Sequence, residues 1–206
     1  MKYNIAAVLL ASLLGLSAPA SANIVLDFEG LADWGAGWLP EDYASFDWGV
    51  QHFSVLSNNH PDYGFQSTLG NSYGSTSGEF AAYNAFGVTR NINFNQQIDF
   101  EGAYFTSWVQ DDTFNPGSSR SVTLNGYADG GLVGSVYMDL SSTQYDWLQA
   151  GFAGIDRLEI VNSADNTWWL MDDFTFNYAA ADVNAPATWL LALSVLGFVV
   201  ARRKTL

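Results

Sequence analysis

The chain has 206 residues, with no cysteine, 21 acidic residues and seven lysines and arginines, and 16% of it is aromatic. All of the acidic residues lie between Asn23 and Asp182, where the basic residues are Arg90, Arg120 and Arg157, so this segment has a formal charge of 3 − 21 = −18. It has no basic patch to displace the counterions of phosphate groups, which excludes nucleic-acid binding. The absence of cysteine excludes disulfide bonds as a source of stability.

The first 22 residues have the three parts of a secretory signal peptide. Met1-Lys2 is a short basic start, and an apolar stretch runs from Ile5 to Leu16. Ala20 and Ala22 then flank a serine in the small-x-small pattern after which signal peptidase cuts. We predict that residues 1–22 are a signal peptide and that signal peptidase is a partner during export.

Between residues 23 and 182 the hydrophobic residues follow the two-residue period of β-strands, and no segment shows a sustained apolar face at helical spacing. Two alternating segments on either side of a glycine-rich turn, Ala128 to Gly131, predict a β-hairpin. The predicted strands are residues 24–29, 79–88, 100–109, 121–127, 132–138, 156–161 and 173–178. This pattern predicts one domain, residues 23–182, folded as an antiparallel β-sandwich of jelly-roll type.

Aromatic residues alternate with carboxylates in a glycine-containing segment from residue 33 to residue 48. Flat rings stack on the apolar faces of sugars, and carboxylates accept hydrogen bonds from sugar hydroxyls. The predicted glycan-contacting residues are Trp34, Trp38, Tyr43 and Trp48. The alternative is that these rings belong to the hydrophobic core, and exposure distinguishes the two. With two histidines and no cysteine the chain offers few members for a nucleophile–His–acid triad, and no zinc spacing is present, so we predict no catalytic residues and keep a glycan hydrolase as a third interpretation.

Asp172 lies in the last predicted strand, where strict alternation places it on the same face as Leu170, Phe174 and Phe176. A carboxylate that enters an apolar layer has to be paired, protonated or bound to a metal, and the segment has few arginines. Calcium takes about six to eight oxygen ligands, and in jelly-roll carbohydrate-binding modules a structural calcium joins the first and last strands. Similarity to that arrangement implies calcium ligands at Asp27 or Glu29 in the first strand together with Asp172 or Asp173 in the last. The alternative is that Asp172 bonds to backbone amides or to Arg157.

The C-terminus has an apolar run from Ala187 to Ala201 that stops at a basic cluster, Arg202, Arg203 and Lys204. A bilayer core needs roughly 20 apolar residues, so this helix is only just long enough to span a membrane. Its basic end would remain cytoplasmic and leave the acidic domain outside.

Residues 183–206 resemble the bacterial PEP-CTERM sorting signal, also known as the ice-binding-protein C-terminal domain. Where that family has Val-Pro-Glu-Pro, this chain keeps Pro186 but has Asn184 and Ala185 in place of the first Pro and the Glu. Short motifs at 27–30 and 171–174 are similar to those of other PEP-CTERM proteins, which implies a sandwich fold. The resemblance implies handling by an exosortase of a Gram-negative bacterium, with cleavage near Pro186. The alternative is a permanent single-pass anchor.

Together these features predict an exported protein of the cell surface or the exopolysaccharide matrix, anchored transiently in the inner membrane, with a structural or adhesive function. The alternative function is a calcium-dependent carbohydrate-binding module. The expected partners of the protein are signal peptidase, exosortase and exopolysaccharide, and its expected cofactor is structural calcium.

Overall fold

The structure is a computed structural model, which describes residues 22–32, 35–57, 75–108 and 117–179. The predicted signal peptide with Ala20, the predicted ring Trp34, and the whole of the sorting signal with its apolar helix lie outside these residues. Ala22 and Asn23 are the first two described residues. Within the described ranges, no helix has the length and hydrophobicity needed to cross a bilayer.

The described chain is all-β, as the hydrophobic period predicts. Two single-turn 3-10 helices, Tyr43–Ser45 and Ala85–Gly87, interrupt the strands. The strands are β1 Ile24–Leu26, β2 Ala36–Trp38, β3 Phe46–Asp47, β4 Phe53–Ser57, β5 Phe80–Asn84, β6 Arg90–Ser107, β7 Ser121–Ala128, β8 Gly131–Asp139, β9 Asp146–Asn162 and β10 Trp169–Tyr178.

Every pair of named strands is antiparallel, and the hydrogen-bonded order is β2-β4-β5-β10-β6-β9-β7-β8. Off this path, β1 pairs with β10, so the first strand lies beside the last, and β3 pairs with the first part of β6. The predicted hairpin is confirmed as β7 and β8. Its turn residues Asp129 and Gly130 both have positive φ, 50° and 78°, as a two-residue hairpin turn requires.

The two longest strands, β6 and β9, bend so that the sheet folds over itself. Gly126 in β7 lies opposite Leu158 in β9. Phe152 precedes Leu158 by six residues, which span about 20 Å in an extended strand. Yet a Cβ atom at Gly126 would lie 2.6 Å from the Phe152 ring. The bend coincides with Gly154, whose φ is +62°, and it brings the first half of β9 over β7. The predicted antiparallel β-sandwich is therefore confirmed.

The interior between the two layers is dominated by aromatic rings. Nine of the largest fully buried side chains are aromatic: Trp48, Trp169, Phe28, Phe46, Phe53, Phe100, Phe105, Phe174 and Phe176. Several meet edge to face, with Trp48 and Phe53 centroids 5.1 Å apart and Phe46 and Phe176 centroids 4.9 Å apart. Such pairs add about 0.5–1.5 kcal/mol beyond the area they bury. Ring packing thus supplies stability that a chain without cysteine cannot obtain from disulfides.

Candidate functional site

The predicted glycan-contacting rings do not form one surface. Trp48 is 0% exposed, belongs to the core, and donates a hydrogen bond from Nε1 to the carbonyl oxygen of Tyr43 at 2.8 Å. Tyr43 is partly buried against Phe28, and burial, followed by the charge of Asp27, raises the pKa of its phenol. Trp38 is 49% exposed. Trp48 therefore contributes to no ligand-binding surface, because the core aromatics enclose it, whereas Trp38 keeps half of its surface open to solvent.

Asp172 is fully buried, but, contrary to the prediction from the sequence, its side chain does not lie on the same face of the sheet as Phe174 and Phe176. Phe174 and Phe176 lie in the main core with Met171, while Leu170 belongs to a separate cluster on the other face of the sheet. The strict alternation assumed from the sequence is wrong because the register against β6 shifts after Asp172. Asp173, with φ of 49°, forms the bulge that turns the following residues over.

Three backbone and side-chain donors of a neighbouring loop hold the Asp172 carboxylate. Its Oδ2 accepts hydrogen bonds from Thr76 N at 2.7 Å, Thr76 Oγ1 at 2.8 Å and Ser77 N at 3.0 Å. Burial nevertheless dominates and raises the pKa of Asp172 to about 6, although the bonds from Ser77 and Thr76 act to lower it. The hydrogen bonds from Thr76 N and Ser77 N correspond to the alternative predicted from the sequence, in which Asp172 bonds to backbone amides.

Of the other predicted calcium ligands, Glu29 and Asp173 contact the same loop, residues 75–80. Glu29 Oε1 accepts hydrogen bonds from the backbone N–H groups of Glu79 and Phe80, both at 2.7 Å. Asp173 Oδ1 accepts one from Ser77 Oγ at 2.7 Å, and Asp27 Oδ1 accepts one from the backbone of Glu29 at 3.2 Å. Within the described ranges, no three acidic or histidine side chains are placed to share one ion. Calcium at these residues stays a prediction.

A polar cleft lies elsewhere, where β3, the start of β6 and β9 meet. Its volume is about 360 Å³. The residues that line it are Asp47, Gly49, His52, Thr89, Arg90, Asn91, Asn93 and Arg157. None of them was predicted as a site residue from the sequence. The alternation in β6 places two of them: Ile92 and Phe94 are buried in the core, so Asn91 and Asn93 project from the opposite face.

The cleft side chains belong to a polar row that crosses four strands at one level. Asp47 pairs with Asn93, Asn93 with Arg157, and Arg157 with Tyr127 in the strand register. Asn93 Nδ2 donates to Asp47 Oδ2 at 3.1 Å, and Arg157 Nη1 donates to Asn91 Oδ1 at 3.1 Å. The Arg157 guanidinium carbon lies 3.8 Å from the centre of the Tyr127 ring. These contacts hold amide, carboxylate and guanidinium groups in fixed positions on one face.

Arg90 also lines the cleft and is 7% exposed. Its Nη2 donates to the carbonyl oxygen of Ala85, and its Nε has no hydrogen-bond partner in the structure. Burial lowers the pKa of the Arg90 guanidinium. Among the described residues, no carboxylate contacts Arg90 or Arg157.

Two exposed rings lie on the Arg90 side of the cleft, outside its lining. Phe86 is 61% exposed, and its ring centre lies 5.9 Å from the Arg90 guanidinium carbon. Trp38 lies next to Phe86, with ring centroids 6.1 Å apart and planes inclined by 30°. The left-handed backbone of Phe86, with φ of 62°, turns its ring outward from the 3-10 turn. The cleft and this aromatic pair together form the candidate functional site.

No protein-family model matches the sequence, and no curated protein matches it. Among solved structures, the chain is similar to TmCBM61 in complex with β-1,4-galactotriose, with 12% identity over 65% of this chain and 86% of that chain, and a TM-score of 0.35. It is similar to the CBM22-1-CBM22-2 tandem domain of Paenibacillus barcinonensis Xyn10C, with 9% identity over 83% of this chain and 49% of that chain, at TM-score 0.43. It is also similar to the K2 cleaved adhesin domain of Lys-gingipain, with 14% identity over 77% of this chain and 99% of that chain, at TM-score 0.42. Similarities at this level assign the chain to no family, so its function is argued from its own residues.

Proposed function

We propose that this protein is an exported, non-catalytic glycan-binding module and that the polar cleft with the neighbouring aromatic pair is the binding site. The observation that carries the proposal is the adjacency of two kinds of group. Amide, carboxylate and guanidinium side chains line a concave site, and the exposed ring of Phe86 contacts Arg90 of that lining, with the Trp38 ring next to Phe86.

The chemistry of the lining suits a ligand with many hydroxyl groups. Each sugar hydroxyl both donates and accepts hydrogen bonds, so its site needs acceptors such as Asp47 and donors such as Arg157. Asn91 and Asn93 supply both kinds of group through their amides. Exposed rings pack against the C–H faces of sugars. A volume of about 360 Å³ is at the small end of ligand sites, which favours a short glycan or the end of a longer chain.

We propose that export brings this site to the cell surface or the exopolysaccharide matrix. Residues 1–22 supply the secretory signal, and residues 183–206 supply the PEP-CTERM-like address with its apolar helix and basic end. Binding of exopolysaccharide would then give the structural or adhesive function expected from the sequence. Mass spectrometry of the mature protein tests the processing. We expect an N-terminus at Asn23 and a C-terminus near Pro186, whereas a mature protein that keeps Arg202 would support a permanent anchor instead.

Glycan-array binding by the full chain, purified in a detergent without a sugar headgroup, tests the function. We expect specific binding that is lost in Asn93→Ala and weakened in Phe86→Ala, because these changes remove a cleft amide and a neighbouring ring. Tyr178→Ala is the matched control, since it removes an exposed aromatic ring that packs on Phe176 and not on Arg90 or Phe86. If the folded protein binds no glycan, or if the control weakens binding as much as the cleft variants, the proposal is wrong.

Calcium at Asp27, Glu29, Asp172 and Asp173 is a separate proposal. It is supported by the contacts of Glu29, Asp172 and Asp173 with the loop of residues 75–80 and by the raised pKa of Asp172, which a bound cation would lower. Thermal unfolding of the full chain in calcium and in EDTA tests it. A calcium-dependent increase in Tm that Asp172→Asn abolishes would support the site, and equal Tm values in the two buffers would exclude it.

A further inference from the structure

We infer that the glycan bound in this cleft is acidic, and that Arg157, with Arg90 in the same cleft, binds a carboxylate group of the uronic-acid type. The inference rests on the proposed glycan-binding function. Its first support is the distribution of positive charge. The segment from Asn23 to Asp182 has three arginines among 21 acidic residues, and two of the three line this one cleft.

The second support is that neither arginine forms an ion pair within the described part of the chain. Acidic residues outnumber arginines seven to one in this segment, yet among the described residues no carboxylate contacts Arg90 or Arg157. Arg90 is more than nine-tenths buried and its Nε has no partner. A buried charge without a counter-charge is costly. An anionic ligand group in the cleft would supply the missing charge.

The geometry of Arg157 suits a carboxylate in particular. Its guanidinium is held over the Tyr127 ring at 3.8 Å and by the hydrogen bond to Asn91. One of its five N–H donors is used in that bond, and the others remain in the planar arrangement that binds a carboxylate through two parallel hydrogen bonds. Because the orientation is already set, binding requires little further ordering of this side chain.

Asp47 limits which anions fit. Its carboxylate lies in the same cleft and accepts hydrogen bonds from Asn93 Nδ2 at 3.1 Å and Gly49 N at 3.0 Å. A ligand with one carboxylate near the arginines and hydroxyl groups near Asp47 satisfies both ends of the cleft. A phosphate group carries more negative charge than a carboxylate, so Asp47 would repel it more strongly. The cleft therefore matches a sugar acid better than a phosphate.

The test compares acidic glycans with their neutral counterparts. An array carries each uronic-acid glycan beside the same glycan after carboxyl reduction, so that linkage and length are unchanged. We expect the full chain to bind acidic members and to bind their reduced forms at least about tenfold more weakly, the loss expected when a charged hydrogen-bonded pair is removed. Arg157→Gln should cause a similar loss for acidic glycans, and Arg157→Lys should cause a partial loss because the charge remains without the paired donors.

Arg120→Gln is the matched control, because it changes the net charge equally at an arginine that does not line the cleft. Unfolding curves of each variant establish that it is folded. Equal binding of acidic and reduced glycans would overturn the inference while the glycan-binding function stands. Equal losses in Arg157→Gln and Arg120→Gln would also overturn it, since they would indicate a general charge effect. Absence of binding to every glycan would overturn the function and the inference together.

Discussion

The buried carboxyl group of Asp172 should make the stability of this protein fall as the pH rises from about 4 to about 6. Burial raises its pKa from the ordinary value of 3.8 to about 6 in the folded protein. Below both values the group is protonated in the folded and unfolded states, and its contribution to stability is fully present. As the pH rises, the unfolded chain ionises first while the folded protein keeps its proton, so stability is lost until the folded pKa is passed. The difference in pKa corresponds to about 3 kcal/mol of unfolding free energy.

Asp172→Asn removes this titration because an amide does not ionise. The variant should begin with a pH-independent loss of about 1–3 kcal/mol, since its NH₂ group faces donors that the carboxylate accepted from Thr76, Ser77 and Asp173. Its disadvantage relative to the wild type should then shrink by about 3 kcal/mol between about pH 4 and pH 7. Urea unfolding in EDTA, followed by tryptophan fluorescence, measures the difference at each pH. Asp129→Asn, at an exposed turn position, is the matched control and should show no such trend.

A difference between wild type and Asp172→Asn that does not change with pH would refute the assignment of a raised pKa to this group. A difference that grows with pH would refute it more directly, because it would mean that the folded protein stabilises the ionised carboxylate. If that reversed trend occurs in calcium and not in EDTA, a bound cation has lowered the pKa of Asp172, as the calcium proposal expects.

Packing of the two layers gives two further predictions. Gly126→Ala should lower the unfolding free energy by about 1–3 kcal/mol, because its Cβ would lie 2.6 Å from the Phe152 ring. Gly131→Ala is the control and should lower it less, since its Cβ meets nothing closer than 3.5 Å. Equal losses for the two variants in urea unfolding would argue that β9 does not fold over β7. Trp48→Ala should lower the unfolding free energy by about 3–5 kcal/mol, because it empties a fully buried core position. Trp38→Ala should change the unfolding free energy by less than about 0.5 kcal/mol. A large decrease in Trp38→Ala would show that the Trp38 ring stabilises the fold.

The fold class was predictable because it depends on local patterns. Alternation of apolar and polar residues over a few positions marks strands wherever one face is buried, and the turn at Asp129-Gly130 determines the β7–β8 hairpin through backbone conformation alone. The extent of the longest strands was not predictable in the same way. The start of β6, from Arg90 to Gln97, is rich in asparagine and glutamine, which local preference disfavours in strands. Pairing with β3 and β9 nevertheless holds it extended.

In the candidate site, too, some features were predictable from the sequence and others were not. The sequence by itself determined that the domain is acidic, lacks disulfides, follows a strand period and contains aromatic residues near carboxylates, since these are properties of composition and spacing. Only the tertiary structure decided that Trp48 is core and Trp38 is surface, and that Asp172 meets the loop at Thr76. Strand register also decided which arginines come together: Arg90 and Arg157 are 67 positions apart in the chain, and they line one cleft because β6 pairs with β9. Contacts between distant segments depend on long-range strand pairing and on the bulges that shift it, neither of which a local pattern encodes.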